Sequence, residues 1–251
     1  MITLQELFLH LEQLLSPGEF SDYGPNGMQV EGKKEVKKIA FAVSASLAAI
    51  EESVKRGADA LIVHHGIFWQ KDPYVVTGVK KKKLERLLIS DTSLLAYHLP
   101  LDAHRQVGNN WKAALDLGMS DLEPFYLLGK SYIGVKGRFA PISVEAFQKK
   151  LETYYGHKAH AALGGKQEIS SAAIISGGAH WQIREAIEAG VDCFITGSFD
   201  EPIWDIAHEN KIHFFALGHH ATERIGILAL KEEVHRRFAI ACEFIDLPNP
   251  F

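Results

Sequence analysis

Apolar and polar positions alternate along the chain in two rhythms, helical and strand-like, with turn residues between them. An amphipathic pattern predicts a helix over roughly residues 3–15, stopped at Ser16-Pro17-Gly18. The next stretch, SDYGPNGMQVEG, reads as a loop with a tight turn at Asn26-Gly27. KKIAFAVSAS then reads as a strand, and SLAAIEESVKRG as a helix with Leu47, Ile50 and Val54 on one face and Gly57 as its stop. ADALIVHH is the following strand. Strands alternating with helices in this way predict an α/β fold.

The arrangement recurs. Val43–His65 aligns with Ser176–Ser198 without a gap, at a constant offset of 133 residues. Ile50 meets Ile183, Gly57 meets Gly190, Asp59 meets Asp192 and Ile62 meets Ile195. This register points to an internal duplication; two independent βαβ units built by the same rules are the alternative. Downstream, LLAYHLPLDA (94–103) stands roughly opposite FFALGHHATE (214–223). Two similar α/β lobes are therefore expected, residues 1–125 and 126–251, the second opening on the strand-rich EPFYLLGKSYIGVKGRF. A helix over SVEAFQKKLETYYG, with Ser143 as N-cap and Gly156 as its end, belongs to the second lobe.

Composition narrows the classes. With 251 residues, 47% hydrophobic and 23% charged, the chain can bury a large core. No apolar run approaches the roughly 20 residues that cross a bilayer, and the N-terminal segment carries acidic residues, so a cytoplasmic protein is expected. Cys193 and Cys242 are far apart in apolar sequence, which leaves no disulfide framework or Cys-x-x-Cys site to read. Any metal must rely on His and carboxylate. A net charge of −4 argues against general polyanion binding. Lys80–Lys83 is a basic run that reads as a solvated helix start, or as a local hint of nucleic-acid contact.

Candidate chemistry collects at strand ends. In open parallel sheets, ligands bind beyond the carboxyl ends of the strands. ALIVHHG places His64 and His65 at such an end, with Gly66 as the residue whose backbone freedom lets the strand finish there. Asp102 follows LLAYHLPL in a loop exposed by Pro100, and His219, His220 and Glu223 follow another apolar strand. His219 and Glu223 share a face if HHATE opens the helix that continues through RIGILALKEEVHRRF. Each piece alone has an ordinary structural reading; together, imidazole and carboxylate at three strand ends suit a divalent transition metal, Zn, Fe, Mn, Co or Ni. His98 and His104 flank Asp102 and are candidates to line the pocket, as proton carrier or substrate contact. The histidines at 157, 160, 180, 208, 213 and 235 read as ordinary polar residues.

SDYGPNGMQVEG, ADALIVHHGIFW, YHLPLDAH, GVDCFITG, GHHATER and FIDLPNP together resemble the Nif-three-like family of dinuclear metal-centre proteins, nearly end to end. Many of its bacterial members are called GTP cyclohydrolase 1 type 2 homologs. The resemblance implies two divalent ions per chain, held by His64, His65, Asp102, His219 and Glu223, with Glu223 as the bridge. His220 stands where many relatives have tyrosine, and is not carried over as a ligand. A two-lobed α/β subunit and a ring-shaped homohexamer are also implied.

The expected chemistry is metal-dependent hydrolysis of a nucleotide or a related heterocyclic or phosphoester small molecule. Phe68 and Trp69 would stack on a planar base, or else pack between lobes or subunits. No Gly-x-x-x-x-Gly-Lys-Ser/Thr loop is present to hold a triphosphate. A non-enzymatic metal-binding regulatory or scaffold protein is the alternative; five ligands for two ions leave coordination positions open, which favours catalysis.

Overall fold

The computed structural model describes all residues, 1–251. In chain order the elements are β1 (Ile2–Thr3), α1 (Leu4–Leu15), β2 (Gly27–Val30), β3 (Glu35–Val36), β4 (Lys38–Ser44), α2 (Leu47–Lys55), β5 (Ala60–His65), α3 (Gly78–Ser90), β6 (Ser93–Ala96) and α4 (Leu99–Ala103). They continue as α5 (Asn109–Asp116), β7 (Ser120–Leu128), β8 (Ser131–Ser143), α6 (Val144–Tyr155), β9 (His160–Leu163), β10 (Glu168–Ile174), α7 (Ile183–Glu188) and β11 (Cys193–Thr196). The chain ends with α8 (Pro202–Glu209), β12 (His213–Ala216), α9 (His219–Phe238) and β13 (Ala241–Phe244). The α/β class read from the sequence is the one observed. No helix is long and apolar enough to cross a membrane.

Two compact units divide the chain: residues 1–101 with 226–248, and residues 102–225 with 249–251. This differs from a single boundary near residue 125. The reason is long-range pairing, because β13 returns to lie parallel to β4 in the sheet of the first unit. On the other side of the division, α5 contributes Trp111, Ala113 and Ala114 to the core of the second unit.

In the first unit the sheet order is β13-β4-β5-β6-β2, parallel except for β2. β5 lies between two parallel neighbours, which is why its apolar run is continuous and buried from Ala60 through His64. α1 covers its own apolar stripe with Leu4, Leu7, Leu11 and Leu15, and Thr3 and Glu6 close a capping box at its start. The segment read as a loop at 21–32 contains β2, a short antiparallel edge strand hidden in sequence by the glycines and proline around it.

The second unit has the order β7-β8-β10-β11-β12-β9, with β10, β11 and β12 parallel. Its likeness to the first extends to hydrogen bonds. Ile39 pairs with Ala60 as Ala172 pairs with Cys193. Gly57 and Gly190 end their helices with φ of 69° and 66°. Asp59 binds Lys33 at 2.7 Å and accepts from the Lys37 N–H; Asp192 binds Lys166 at 2.9 Å and accepts from the Ser170 N–H. Every one of these equivalences keeps the offset of 133, down to side-chain pairs that general βαβ rules do not dictate. Matching side-chain pairs of this kind are what an internal duplication predicts.

Candidate metal-binding site

In the first unit His64 and His65 finish β5, and His98 follows β6. Their ring centroids lie 4.6 Å (His64–His65), 5.0 Å (His64–His98) and 5.5 Å (His65–His98) apart. Each ring offers one nitrogen, and these nitrogens lie within 4.8 Å of one another. All three rings are held through Nδ1. His64 Nδ1 bonds the Tyr97 carbonyl at 3.0 Å, His65 Nδ1 the Ser44 hydroxyl at 3.0 Å, and His98 Nδ1 the Asp22 carboxylate at 2.7 Å. A carbonyl and a carboxylate only accept, so Nδ1 of His64 and of His98 carries a proton, and in the neutral ring Nε2 is the nitrogen with the lone pair.

Asp22 is a residue that the sequence reading missed. Its side chain is 2% exposed. It accepts from His98 Nδ1, the Tyr23 N–H, Asn26 Nδ2 and the Leu99 N–H. Burial alone would raise its pKa; the bonds from His98, Asn26 and Leu99 outweigh that and hold it below the ordinary carboxylate value. Asn26 adds Oδ1 as acceptor for the His98 N–H, so the segment read as a turn is a clamp on His98. Gly66 is needed for a different reason than backbone freedom. A Cβ there would overlap the side-chain amide of Gln29, whose Oε1 accepts from the Ile67 N–H.

Trp69 meets His98 edge-on at 5.2 Å and lies 5.8 Å from His65. Phe68 packs on the core of the first unit, with Lys80 Nζ 5.4 Å from its ring centroid. Lys80 also donates to the Pro73 carbonyl, and partial burial lowers the pKa of Lys83. The basic run opens α3, as its charge pattern suggested.

In the second unit the donors converge on Ser176-Gly177. Asp102, 5% exposed, lies on the short helix α4 and not in a loop, because Pro100 fits the first turn of a helix. Its Oδ1 accepts from Asn109 Nδ2 and Ser176 Oγ, each at 2.8 Å. Asn110 in turn accepts from the Ser176 N–H and donates to the Ile133 carbonyl. α9 begins at His219 as the sequence predicts, and its first turn brings His219 Nε2 to 3.1 Å from Glu223 Oε1. Ser198 Oγ lies 3.4 Å from His219 Nδ1.

Duplication makes sense of these partners. Ser198 occupies the place of His65 and Gly177 that of Ser44, both at the offset of 133. In the first copy the serine that ends β4 steadies the last histidine of β5. In the second, the serine lies two residues past β11, and it contacts a histidine brought in by α9. At Gly177, with φ 67°, a serine would be strained. A Cβ there would overlap Glu223 Oε1 and sit 3.3 Å from His219 Nε2.

His104 accepts from the N–H groups of Gln106 and Val107 and so caps its own turn. His157, His208, His213 and His235 each bond a backbone carbonyl, in keeping with their reading as ordinary polar residues. The His220 N–H donates to the Phe251 carbonyl. Cys193 and Cys242 are free thiols. Anchored imidazoles with pinned carboxylates fit a divalent transition metal in donor chemistry and in outer-shell support.

Comparison with known proteins agrees with the sequence resemblance. The profile of the family described as Duf34/NIF3 (NGG1p interacting factor 3) matches residues 2–250. The chain is 49% identical over 254 residues to the GTP cyclohydrolase 1 type 2 homolog of Chlamydia pneumoniae, covering 100% of both chains. Among solved structures, protein ybgI, described as of unknown function, superposes with a TM-score of 0.94 at 38% identity, covering 100% of both chains. TTHA1606 from Thermus thermophilus does so with a TM-score of 0.90 at 31% identity, again over 100% of both.

Proposed function

Because the chain belongs to the Duf34/NIF3 family, we propose that it binds two divalent metal ions and hydrolyses a nucleotide or a related heterocyclic or phosphoester substrate. The observation that carries this reading is the anchoring of the donors. Imidazoles bonded at Nδ1 and a carboxylate pinned through one oxygen are oriented as metal ligands are, by partners behind them. In this reading His64, His65, Asp102, His219 and Glu223 would hold the two ions, with Glu223 shared between them. When bound, the two ions supply a water acidified towards neutral pH and a Lewis acid for the substrate oxygen.

The chain's own residues orient and select. Ser44 steadies the His65 ring, and Asn109 with Ser176 fixes Asp102 through its Oδ1. Trp69, beside His65 and His98, offers a flat surface for a planar base. Relatives carry the name GTP cyclohydrolase 1 type 2 homolog, which supports a nucleotide or similar heterocycle as the class without fixing one reaction. A ring-shaped homohexamer in the cytoplasm is part of the same reading.

The test is a screen of the metal-reconstituted chain against nucleotides, phosphoesters and cyclic amides. One class should be turned over, and His64→Ala should abolish that turnover. If every class is inert with both ions bound, the chain is a metal-binding regulatory or scaffold protein instead.

A further inference from the structure

We propose that the second unit carries a recognition surface for a nucleoside monophosphate, with the base stacked on Trp181 and the phosphate met by Arg184. The inference rests on the nucleotide reading of the site and deepens it, since it names a side chain for each half of such a ligand. Three observations converge on it.

First, the surface adjoins the donors of the second unit. A Cβ on Gly178 would come 3.4 Å from the His219 ring, so the loop that leaves β10 rests on that imidazole. Trp181 follows three residues later, and three residues of chain span at most about 11 Å. Trp181 and the His219 ring therefore share one neighbourhood at the carboxyl ends of the parallel strands, where ligands of such sheets collect.

Second, the scaffold asks for neither side chain. At the offset of 133, Trp181 stands where the first copy has Ala48, and Arg184 where it has Glu51. The first copy starts α2 at Leu47, behind the Ser46 cap. The second copy replaces that first turn by a tighter 3-10 turn over His180–Gln182, and α7 begins only at Ile183. Ile183 and Ala186 face the core, while Trp181, 40% exposed, and Arg184 stay outside. An exposed indole where the duplicate has alanine is chemistry added to the scaffold, not packing that the fold requires.

Third, the pair is braced and its charge is available. The Arg184 guanidinium lies 5.4 Å from the Trp181 ring centroid, and the His180 ring lies 5.6 Å from it. Arg184 enters no ion pair with a carboxylate, whereas its counterpart Glu51 meets Arg86 at 3.7 Å. A guanidinium fork suits the oxygens of a phosphate, and an indole face stacks on any base. The other exposed indole of this unit, Trp204, lies 4.4 Å from the ring of His208 and has no such cation beside it.

The experiment uses the full chain, before and after metal reconstitution, titrated with GMP, guanosine and ribose 5-phosphate and followed by tryptophan fluorescence and calorimetry. GMP binds and quenches, guanosine binds more weakly, and ribose 5-phosphate does not quench. Trp181→Leu weakens GMP and guanosine alike, by about 5-fold or more, and Trp181→Phe keeps most of the affinity. Arg184→Gln weakens GMP by about 10-fold and leaves guanosine unchanged. Circular dichroism melts show that each variant is folded, and the indole N–H signal of Trp181 shifts when GMP is added to the natural chain.

The inference is overturned if neither GMP nor guanosine binds at millimolar concentration, or if Trp181→Leu and Arg184→Gln leave both affinities unchanged. It is equally overturned if Trp69→Leu or Trp204→Leu takes the loss instead, or if Trp181→Leu changes the mass of the assembly in sedimentation, which would make the indole a contact between copies. Turnover of a nucleotide that is indifferent to Trp181 and Arg184 would sink this surface and leave the hydrolase reading standing. GMP binding that depends on both residues, in a chain that turns over no nucleotide, would keep the surface and bring down the hydrolase reading.

Discussion

Replacing Gly177 by alanine separates backbone strain from interference with the donors. Gly177 has φ 67°, and its backbone is held on both sides. Its N–H donates to Thr222 Oγ1 at 3.0 Å, and its carbonyl accepts from the Gly197 N–H, the Ser198 N–H and Thr196 Oγ1. The chain therefore cannot rotate away from the left-handed region, which costs an alanine about 1–2 kcal/mol. The new methyl would also overlap Glu223 Oε1, on a side chain 3% exposed, so that this carboxylate must shift. Overpacking of that kind adds about 1–3 kcal/mol. The sum is a loss of roughly 2–5 kcal/mol, together with displacement of Glu223 and a fall in metal affinity. Gly190→Ala is the control. It has φ 66° with nothing within 4 Å of the added Cβ, so only the strain of about 1–2 kcal/mol applies and metal content is unchanged. Urea denaturation and metal analysis of the two variants side by side make the comparison. If Gly177→Ala is no less stable than Gly190→Ala and holds the same metal, the close approach of Glu223 to Gly177 is not a constraint and the reasoning fails.

Other consequences are open to measurement. Asn109→Ala and Ser176→Ala each remove one of two donors to the buried Asp102 Oδ1, at about 1–3 kcal/mol apiece, and each lowers metal affinity; denaturation and Zn2+ calorimetry should move together, and a stability loss with unchanged affinity would make the clamp purely structural. For Asp59 and Asp192, burial raises the carboxyl pKa but Lys33 or Lys166 and the surrounding donors outweigh it, so both are held below the ordinary value of 3.8. The unfolded chain then binds more protons than the folded one, so this stabilisation is complete above pH 3.8 and is lost as pH falls through the lower folded values. Asp59→Asn/Asp192→Asn should flatten the acid limb of a stability–pH profile; an unaltered limb would show that the paired carboxylates do not set it.

Much of the site was legible in the sequence because its parts are local. A double histidine closing an apolar strand, and a His/Glu pair one helical turn apart at the start of α9, are spacings that need no tertiary knowledge. The ungapped offset of 133 likewise carried over into hydrogen bonds. What escaped lies in long-range closure. Asp22 meets a histidine 76 residues away, and Ser176 meets Asp102 across 74. Neither pairing leaves a periodicity or a motif. β2 was hidden because a four-residue antiparallel edge strand needs little apolar pattern, and glycine and proline mask what there is. The division into units was misplaced for a similar reason, since nothing local in ACEF announces that β13 pairs with β4, roughly 200 residues earlier.

Elemental analysis of the purified natural chain beside Glu223→Ala tests the central claim most directly. The account predicts about two divalent ions per natural chain, and loss of at least one when the Glu223 carboxylate is removed. A natural chain that binds no divalent ion after reconstitution, or a Glu223→Ala variant with a full and unchanged load, would contradict it.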